Sequence, residues 1–310
     1  MKNFSQKFIR FLITVFCLLT LLELASYITY AIKWRNELAV QWANGNHVIL
    51  SYNYPWKFNP FAENSGWKER IFKKDSNKRP LAIVGCSFAE GSCLTYKQIL
   101  GYKLSSITDR TVYQRGITAT GLSYVYYQIK NNLIEKQPRE PEYIIYVFIF
   151  DHIHRLYQPH PGFWTSLINL RYEYKNGQLQ EVQYKYPIVN AFYFTRLIQE
   201  YKTEKYFEKE LQDFSLFKHI IAEMMRISKQ NYPNTKIVFL DYPQNNDDCT
   251  KLPPDIIKFI KDNGYIYIDA NELTGKNLGD NEYKVEGEWI HPNEKAWDEV
   301  APKLAKALNL

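Results

Sequence analysis

The sequence predicts an α/β domain built on a parallel sheet with helices on both faces, preceded by one helix of membrane length. Three observations carry this expectation. Short apolar runs alternate with helical stretches from Leu81 onward. One run, YIIYVFIF at 143–150, is apolar throughout, as expected of a strand covered on both faces. The first run, LAIV at 81–84, leads directly into a tight serine–glycine turn, GCSFAEG at 85–91.

Taken in order, the N-terminal stretch from Phe11 to Ile32 holds a single charge, Glu23, in 22 residues. At 1.5 Å per residue such a helix crosses the roughly 30 Å of bilayer hydrocarbon. Lys2, Lys7 and Arg10 precede it and Lys33 and Arg35 follow, a bias that leaves the N-terminus inside and the remainder outside. Tyr27, Tyr30 and Trp34 read as an interfacial aromatic belt, which favours a retained anchor. A cleaved signal ending near Leu24-Ala25 is the competing reading. Residues 1–35 therefore form a signal anchor or transmembrane helix, single-pass, with the rest extracytoplasmic. Residues 36–79, rich in Asn, Pro and Tyr, read as an irregular lead-in, and 80–310 as the main domain.

Within that domain LAIV is the first strand and Thr95 to Ser106 reads helical. TVYQ at 111–114 is the second strand, followed by a helix from Leu122 to Glu135 with Pro138 beyond its end. The third strand is 143–150. KIVFLDY at 236–242 and YIYID at 265–269 repeat the strand signature, with a helix from Pro254 to Lys261 between them. A last helix runs from Pro292 to Leu308 and contains Pro302. An insertion, 156–230, separates the third and fourth of these strands. It carries a hairpin signal at Asn176-Gly177 and then a helical region from Ala191 to Gln230.

Composition narrows the function classes. A net charge of +6 is dispersed, and no run of Lys and Arg interleaved with aromatics marks a nucleic-acid surface. The four cysteines, Cys17, Cys86, Cys93 and Cys249, show no CxxC spacing for zinc or a redox dithiol. A Cys93–Cys249 bridge stays open. His152, His154 and His160 invite a metal reading, since HxH on a strand points both rings one way. No further Cys/His cluster completes such a site, so neither metal nor cofactor is expected.

Chemistry concentrates at two places. A serine between glycines at the end of a strand makes a tight turn into a helix, which exposes a hydroxyl at the sheet edge where α/β ligands bind. That serine is Ser87. A hydroxyl is a poor nucleophile at neutral pH and needs a base. EGEWIHPN near the C-terminus offers His291 as base and Glu288, three residues earlier, to fix its tautomer. Each residue has a bland reading too: Ser87 as a helix cap, His291 as a surface turn residue, Glu288 as a solvated acid. Gly116 and Gly121 also serve as turn glycines, Cys86 as packing, and Glu90 as a first-turn helix acid.

GCSFAEG, RGITATG, FIFDHIHR and EWIHPN together resemble, in order and spacing, the four sequence blocks of the SGNH (GDSL) hydrolases. The likeness covers residues 80 to 308 and looks closest to the bacterial, membrane-anchored branch whose first block reads GCSF. It implies a three-layer, flavodoxin-like fold and ester chemistry. It implies Ser87 as nucleophile, His291 as base and Glu288 behind it. The oxyanion hole would draw on the N–H groups of Ser87 and Gly116 and on the block that contains Asp151 and His152.

Two departures stand out. Glu288 occupies the usual Asp position, one methylene longer. Asp151 stands where the family places Asn, and an ionised Asp accepts hydrogen bonds rather than donating them. Either Asp151 is protonated, or His152 donates, or the site does something else. Arg155 would bind substrate or pair with a carboxylate. The function so implied is a membrane-anchored extracytoplasmic serine esterase or O-acyltransferase acting on an ester of a cell-envelope glycan. The aromatics Phe163, Trp164, Tyr172 and Tyr174 of the insertion are available to stack on sugar rings. The alternatives are a lipid-directed, lysophospholipase-like esterase and a non-catalytic SGNH-fold protein of surface-polysaccharide assembly.

Overall fold

The computed structural model describes residues 11–29, 70–72, 77–118, 120–134, 139–157, 170–182, 193–244, 251–287 and 290–310. Helix α1, Phe11–Thr29, is 19 residues long and apolar enough to cross a membrane. Its large side chains point outward, with Phe11 62% and Phe16 70% exposed. Tyr30 and Trp34 of the expected aromatic belt lie outside the described residues.

A six-stranded sheet organises the remainder. In chain order its strands are β1 (Arg70–Phe72), β2 (Leu81–Gly85), β3 (Val112–Gly116), β4 (Tyr143–Phe148), β7 (Lys236–Asp241) and β8 (Ile266–Asp269). A separate hairpin holds β5 (Tyr172–Lys175) and β6 (Gln178–Glu181). The sheet order is β1-β3-β2-β4-β7-β8, and every pairing is parallel except β1 with β3. Counted alone, the five parallel strands run second, first, third, fourth, fifth, the flavodoxin-like doubly wound order. Its switch point, where connections leave in opposite directions, lies between β2 and β4.

Strand alternation divides the core in two. Ala82, Val84, Ile144, Tyr146 and Phe148 pack on one face against α4 (Leu122–Lys130), α7 (Ser215–Asn231) and α8 (Pro254–Asp262). Leu81, Ile83, Tyr143, Ile145 and Val147 pack on the other against α3 (Leu100–Thr108) and α10 (Glu294–Ala307). Because both faces are covered, β2 and β4 are fully buried along their length. Three short helices complete the count: α2 (Ser87–Glu90), α5 (Asp151–His154) and α9 (Ala270–Thr274). The insertion adds α6 (Tyr193–Asp213).

The boundaries differ from expectation where side chains compete with the backbone. Helix α3 starts at Leu100, not Thr95, because the Thr95 N–H and hydroxyl both donate to Gln98 Oε1, at 2.8 and 2.9 Å, and hold a local turn. Helix α4 ends at Lys130, since Asn132 adopts φ 53°. Strand β4 stops at Phe148, and the chain turns into α5. Helix α10 begins at Glu294: Pro292 forms a bridge with Lys284, and Asn293 caps the helix by accepting from Ala296 N–H at 3.1 Å. Pro302 lies inside it. Helix is interrupted at Phe214, φ 52°, so the expected 191–230 region is two helices. The hairpin turns at Asn176-Gly177 with φ 53° and 77°, the type I′ geometry those residues favour.

Candidate active site

The four sequence blocks fall at the carboxyl edge of the sheet, around the switch point. Block one leaves β2 through Gly85, whose φ is +141° and where a Cβ would come within 2.7 Å of the Val147 carbonyl oxygen. Only glycine turns that sharply there. Cys86 follows in extended conformation, and Ser87 opens α2, only 5% exposed. The first N–H groups of a helical turn have no partner within it. Gly91 closes the turn in the left-handed conformation, φ 75°. Cys86 is fully buried, and burial holds its thiol above the usual value, so it stays protonated. That argues against a thiolate nucleophile.

Block two ends β3 at Gly116, in register with Gly85. A Cβ on Gly116 would sit 2.2 Å from the Glu90 nitrogen and 2.4 Å from the Ala89 carbonyl carbon. The strand end and the Ser87 turn therefore meet backbone to backbone. Three further links hold them. Ile117 N–H donates to Gly85 O at 2.9 Å. Gln114 Nε2 donates to the Ala89 and Glu90 carbonyls at 2.6 and 3.1 Å. The Glu90 carboxylate accepts from Thr118 N–H at 3.0 Å and from the Thr118 hydroxyl. Glu90 and Gln114 thus brace the turn after Gly116. In the sequence Glu90 reads either as a group supporting the site or as a first-turn helix acid, and Gln114 carries no signal.

Block three is a helical turn rather than a continuing strand, which corrects the geometry assumed for HxH. His152 and His154, two apart on a helix, point in different directions. His152 is fully buried, stacks on Tyr146 and shares a 2.8 Å hydrogen bond between its Nδ1 and the Tyr146 hydroxyl. Burial pushes it well below its usual pKa, so it is neutral, and its Nε2 has no partner among the described residues. His154 sits 3.3 Å from Glu204 Oε1 and 3.7 Å from Asp151 Oδ1. Although burial lowers its pKa, these carboxylates raise it on balance. His160 lies outside the described residues, and among the described residues no group of three His, Cys, Asp or Glu is spaced to hold a metal ion.

Asp151 accepts from Arg155 Nε at 2.6 Å. Burial alone would raise its pKa, but the adjacent guanidinium and the His154 bond hold the carboxyl well below the usual range. It is therefore an ionised acceptor, not a protonated donor. Its backbone N–H donates to Gln244 Oε1 at 3.0 Å, which ties the turn to the end of β7.

Block four is carried by a loop that returns beside Ser87. The His291 ring lies 5.5 Å, centroid to centroid, from Phe88, the residue after Ser87. Phe88 in turn meets Tyr242 at 5.6 Å, and Tyr242 meets Trp297 of α10 at 5.2 Å. The loop backbone is pinned on both sides of the histidine: Val285 N–H donates to His291 O at 2.9 Å, and Asn293 N–H to Tyr283 O at 2.9 Å. Asn293 Nδ2 also donates to the Glu282 and Lys284 carbonyls, each at 2.8 Å. Glu288 lies outside the described residues, as do Phe163, Trp164 and Cys249. Of the insertion's other aromatics, Tyr172 is fully buried and Tyr174 stacks on His219 at 3.5 Å.

One titratable group escaped the sequence reading altogether. Asp241 ends β7, accepts from the Tyr267 hydroxyl at 2.6 Å and neighbours Asp269 across the sheet. Burial pushes it up to about 7, with Asp269 adding to the rise. Nothing in a lone Asp at a strand end signals this; it follows from the sheet pairing.

No family model matches the chain, and no curated relative matches it. Solved structures do. One is a member of the lipolytic G-D-S-L family from Veillonella parvula DSM 2008, at 11% identity and TM-score 0.41, covering 75% of this chain and 99% of that one. Another is an acetyl xylan esterase, Est2A, from Butyrivibrio proteoclasticus, at 11% identity and TM-score 0.42, covering 74% and 63%. A third is a family two carbohydrate esterase from Cellvibrio japonicus, at 12% identity and TM-score 0.40, covering 75% and 61%. These likenesses are in fold.

Proposed function

We propose that the chain is a serine esterase or O-acyltransferase of the SGNH type, held at a membrane by α1 with its domain outside the cytoplasm. One observation carries the reading: a serine at a strand-to-helix turn beside the switch point, with an imidazole packed on the next residue, 5.5 Å from the Phe88 ring. In this reading the Ser87 oxygen attacks an acyl carbonyl carbon while His291 takes the hydroxyl proton. The tetrahedral oxyanion is met by the Ser87 and Gly116 N–H groups. Collapse breaks the ester C–O bond, and His291 returns the proton to the departing alcohol. Water or a sugar hydroxyl then removes the acyl group from Ser87 by the same steps in reverse. Glu288, three residues ahead of His291, is the proposed orienting acid.

For the substrate we favour an acyl ester on a polar carrier such as an envelope glycan. A groove of about 550 Å³ runs between Cys93–Leu94, downstream of Ser87, and Lys284–Glu286, whose Val285 bonds the His291 carbonyl. Asn293, Glu294, Lys295 and Asp298 complete its polar wall. A lipid-directed esterase needs a long apolar slot; this groove carries Lys284, Glu286, Glu294, Lys295 and Asp298, and it adjoins Ser87 and His291 in sequence without either lining it. The non-catalytic reading is favoured by one feature, the ionised Asp151 where a neutral donor is expected. The experiment that decides is turnover of p-nitrophenyl acetate, and labelling by a fluorophosphonate, by the full chain in detergent. Loss of both in Ser87→Ala supports the enzyme; equal rates in the two proteins end it.

A further inference from the structure

We infer that Arg155 is a positioning residue for this site: one buried guanidinium that ties together the loops bearing Ser87, the Gly116 turn and Asp151. The inference rests on the proposed serine chemistry and gives Arg155, the last residue of the third block, a part in it. Arg155 follows α5 directly, and its side chain is only 13% exposed. Its Nε donates to Asp151 Oδ2 and its Nη1 to Thr120 O, both at 2.6 Å. Cys86 is an electrostatic neighbour of the guanidinium.

The two hydrogen-bond partners and Cys86 lie in three different blocks. Cys86 precedes Ser87. Thr120 closes the turn after Gly116, where its hydroxyl donates to Ile117 O at 2.7 Å and reaches Gly85 O at 3.3 Å. Asp151 opens the third block. A guanidinium presents its N–H groups in a rigid planar fork, so its bonds to Asp151 and Thr120 fix those two loops relative to one another, and the Thr120 hydroxyl carries the tie on to Gly85 O. The stem passes beside Gly121, where an added Cβ would stand 3.4 Å from Arg155 Cβ and 3.5 Å from its Cδ. Asp151 at the usual Asn position now has a physical account. It does not act on the oxyanion; it is the counter-ion that lets a cation be buried behind the nucleophile's turn. The oxyanion is left to backbone N–H groups, whose aim depends on the loops that Arg155 holds.

The test uses the full chain in detergent with p-nitrophenyl acetate, and all rates are referred to the folded fraction measured by near-UV circular dichroism. Arg155→Lys keeps the charge but lacks the planar fork that meets Asp151 and Thr120 together. Its kcat should fall by a factor of roughly 10 to 100, the cost of misplacing reacting groups by a fraction of an ångström to about 1 Å, with KM within about twofold. Free guanidinium ion at millimolar concentration should raise kcat of Arg155→Gly without changing its folded fraction, and sodium chloride at equal ionic strength should not. The double variant Asp151→Asn/Arg155→Gln restores the family's Asn and removes the buried pair without leaving one charge behind. It should stay as slow as Arg155→Lys. An Arg155→Lys kcat equal to wild type, or a double variant faster than wild type, overturns the inference while Ser87→Ala still reports on the chemistry. A wild type that neither turns over nor labels overturns both.

Discussion

Replacing Gly116 by alanine isolates the backbone-to-backbone seam between blocks one and two. The added methyl would lie 2.2 Å from the Glu90 nitrogen and 2.4 Å from the Ala89 carbonyl carbon, both main-chain atoms of the turn that carries Ser87. Ordinary contact needs about 3.4 Å or more between such atoms, so strand and turn must part by roughly 1 Å. Overpacking of this kind costs about 1–3 kcal/mol of stability. The catalytic cost should be larger than the stability loss explains. The Ser87 and Gly116 N–H groups lie on the two sides of the seam, and removal of one oxyanion donor lowers kcat by a factor of roughly 100 to 1,000. Stopped-time assays with p-nitrophenyl acetate, alongside thermal unfolding, separate the two effects. Ile260→Val serves as the comparison: Ile260 is fully buried on α8, and its truncation costs about 1 kcal/mol with no expected change in kcat. If Gly116→Ala loses stability while its kcat per folded molecule stays within twofold of wild type, Gly116 is a packing glycine and the oxyanion assignment is wrong.

Glu90→Ala removes the acceptor of the Thr118 N–H and hydroxyl. It should lower kcat about tenfold with little change in KM, on the same argument of loop placement. Asp241, raised to about 7 by burial, binds more protons in the folded than in the unfolded chain between its ordinary carboxylate value and 7. Its contribution to stability is therefore fully present below pH 4 and lost as pH rises to about 7. His152 and His154 titrate in part of that window too. The decisive quantity is thus the stability of wild type relative to Asp241→Asn, which should fall steadily from pH 4 to 7 and then stay flat. A constant difference would place Asp241 in the ordinary range. For the anchor, membranes carrying the full chain should retain it through alkaline carbonate washing and release it only to detergent, with the domain open to added protease from the extracytoplasmic side.

Much of the fold was legible because burial on both faces leaves a simple mark. The strands β2, β4 and β7 read as unbroken apolar runs, and the Asn176-Gly177 turn specifies its hairpin locally. Strand β1 was not legible within the lead-in, since three residues carry no period and its pairing with β3 is set across 42 positions, from Phe72↔Val112 to Arg70↔Gln114. The break at Phe214 was hidden for another reason. The chain there leaves the helix against propensity because Glu210, buried at 3% exposure, accepts from Leu216 and Phe217 N–H at 3.1 and 2.6 Å and caps the next helix from the end of the previous one. A glutamate seven residues upstream is not where a cap is sought.

The same limit explains why the departure at Asp151 was visible but its meaning was not. Read as loop after a strand running to Phe150, an Asp in place of Asn is a lost donor and nothing more. Once β4 ends at Phe148 and α5 begins at Asp151, positions 151 and 155 are four apart on one helical face, where a carboxylate and a guanidinium meet. The pair is then partly buried, its side chains 13% and 33% exposed, with Arg155 Nη1 on the Thr120 carbonyl. Burying one charge alone costs several kcal/mol, whereas a paired and fully hydrogen-bonded couple comes close to break-even. Asp151→Asn on its own should therefore destabilise the chain by about 1.5–3 kcal/mol, the worth of a hydrogen bond to a charged group, even though it restores the residue that the four-block pattern expects. Chemical denaturation of that single variant measures it. A chain no less stable than wild type would mean that Arg155 finds its compensation elsewhere, and that the aspartate stands in the third block for some reason other than holding the arginine.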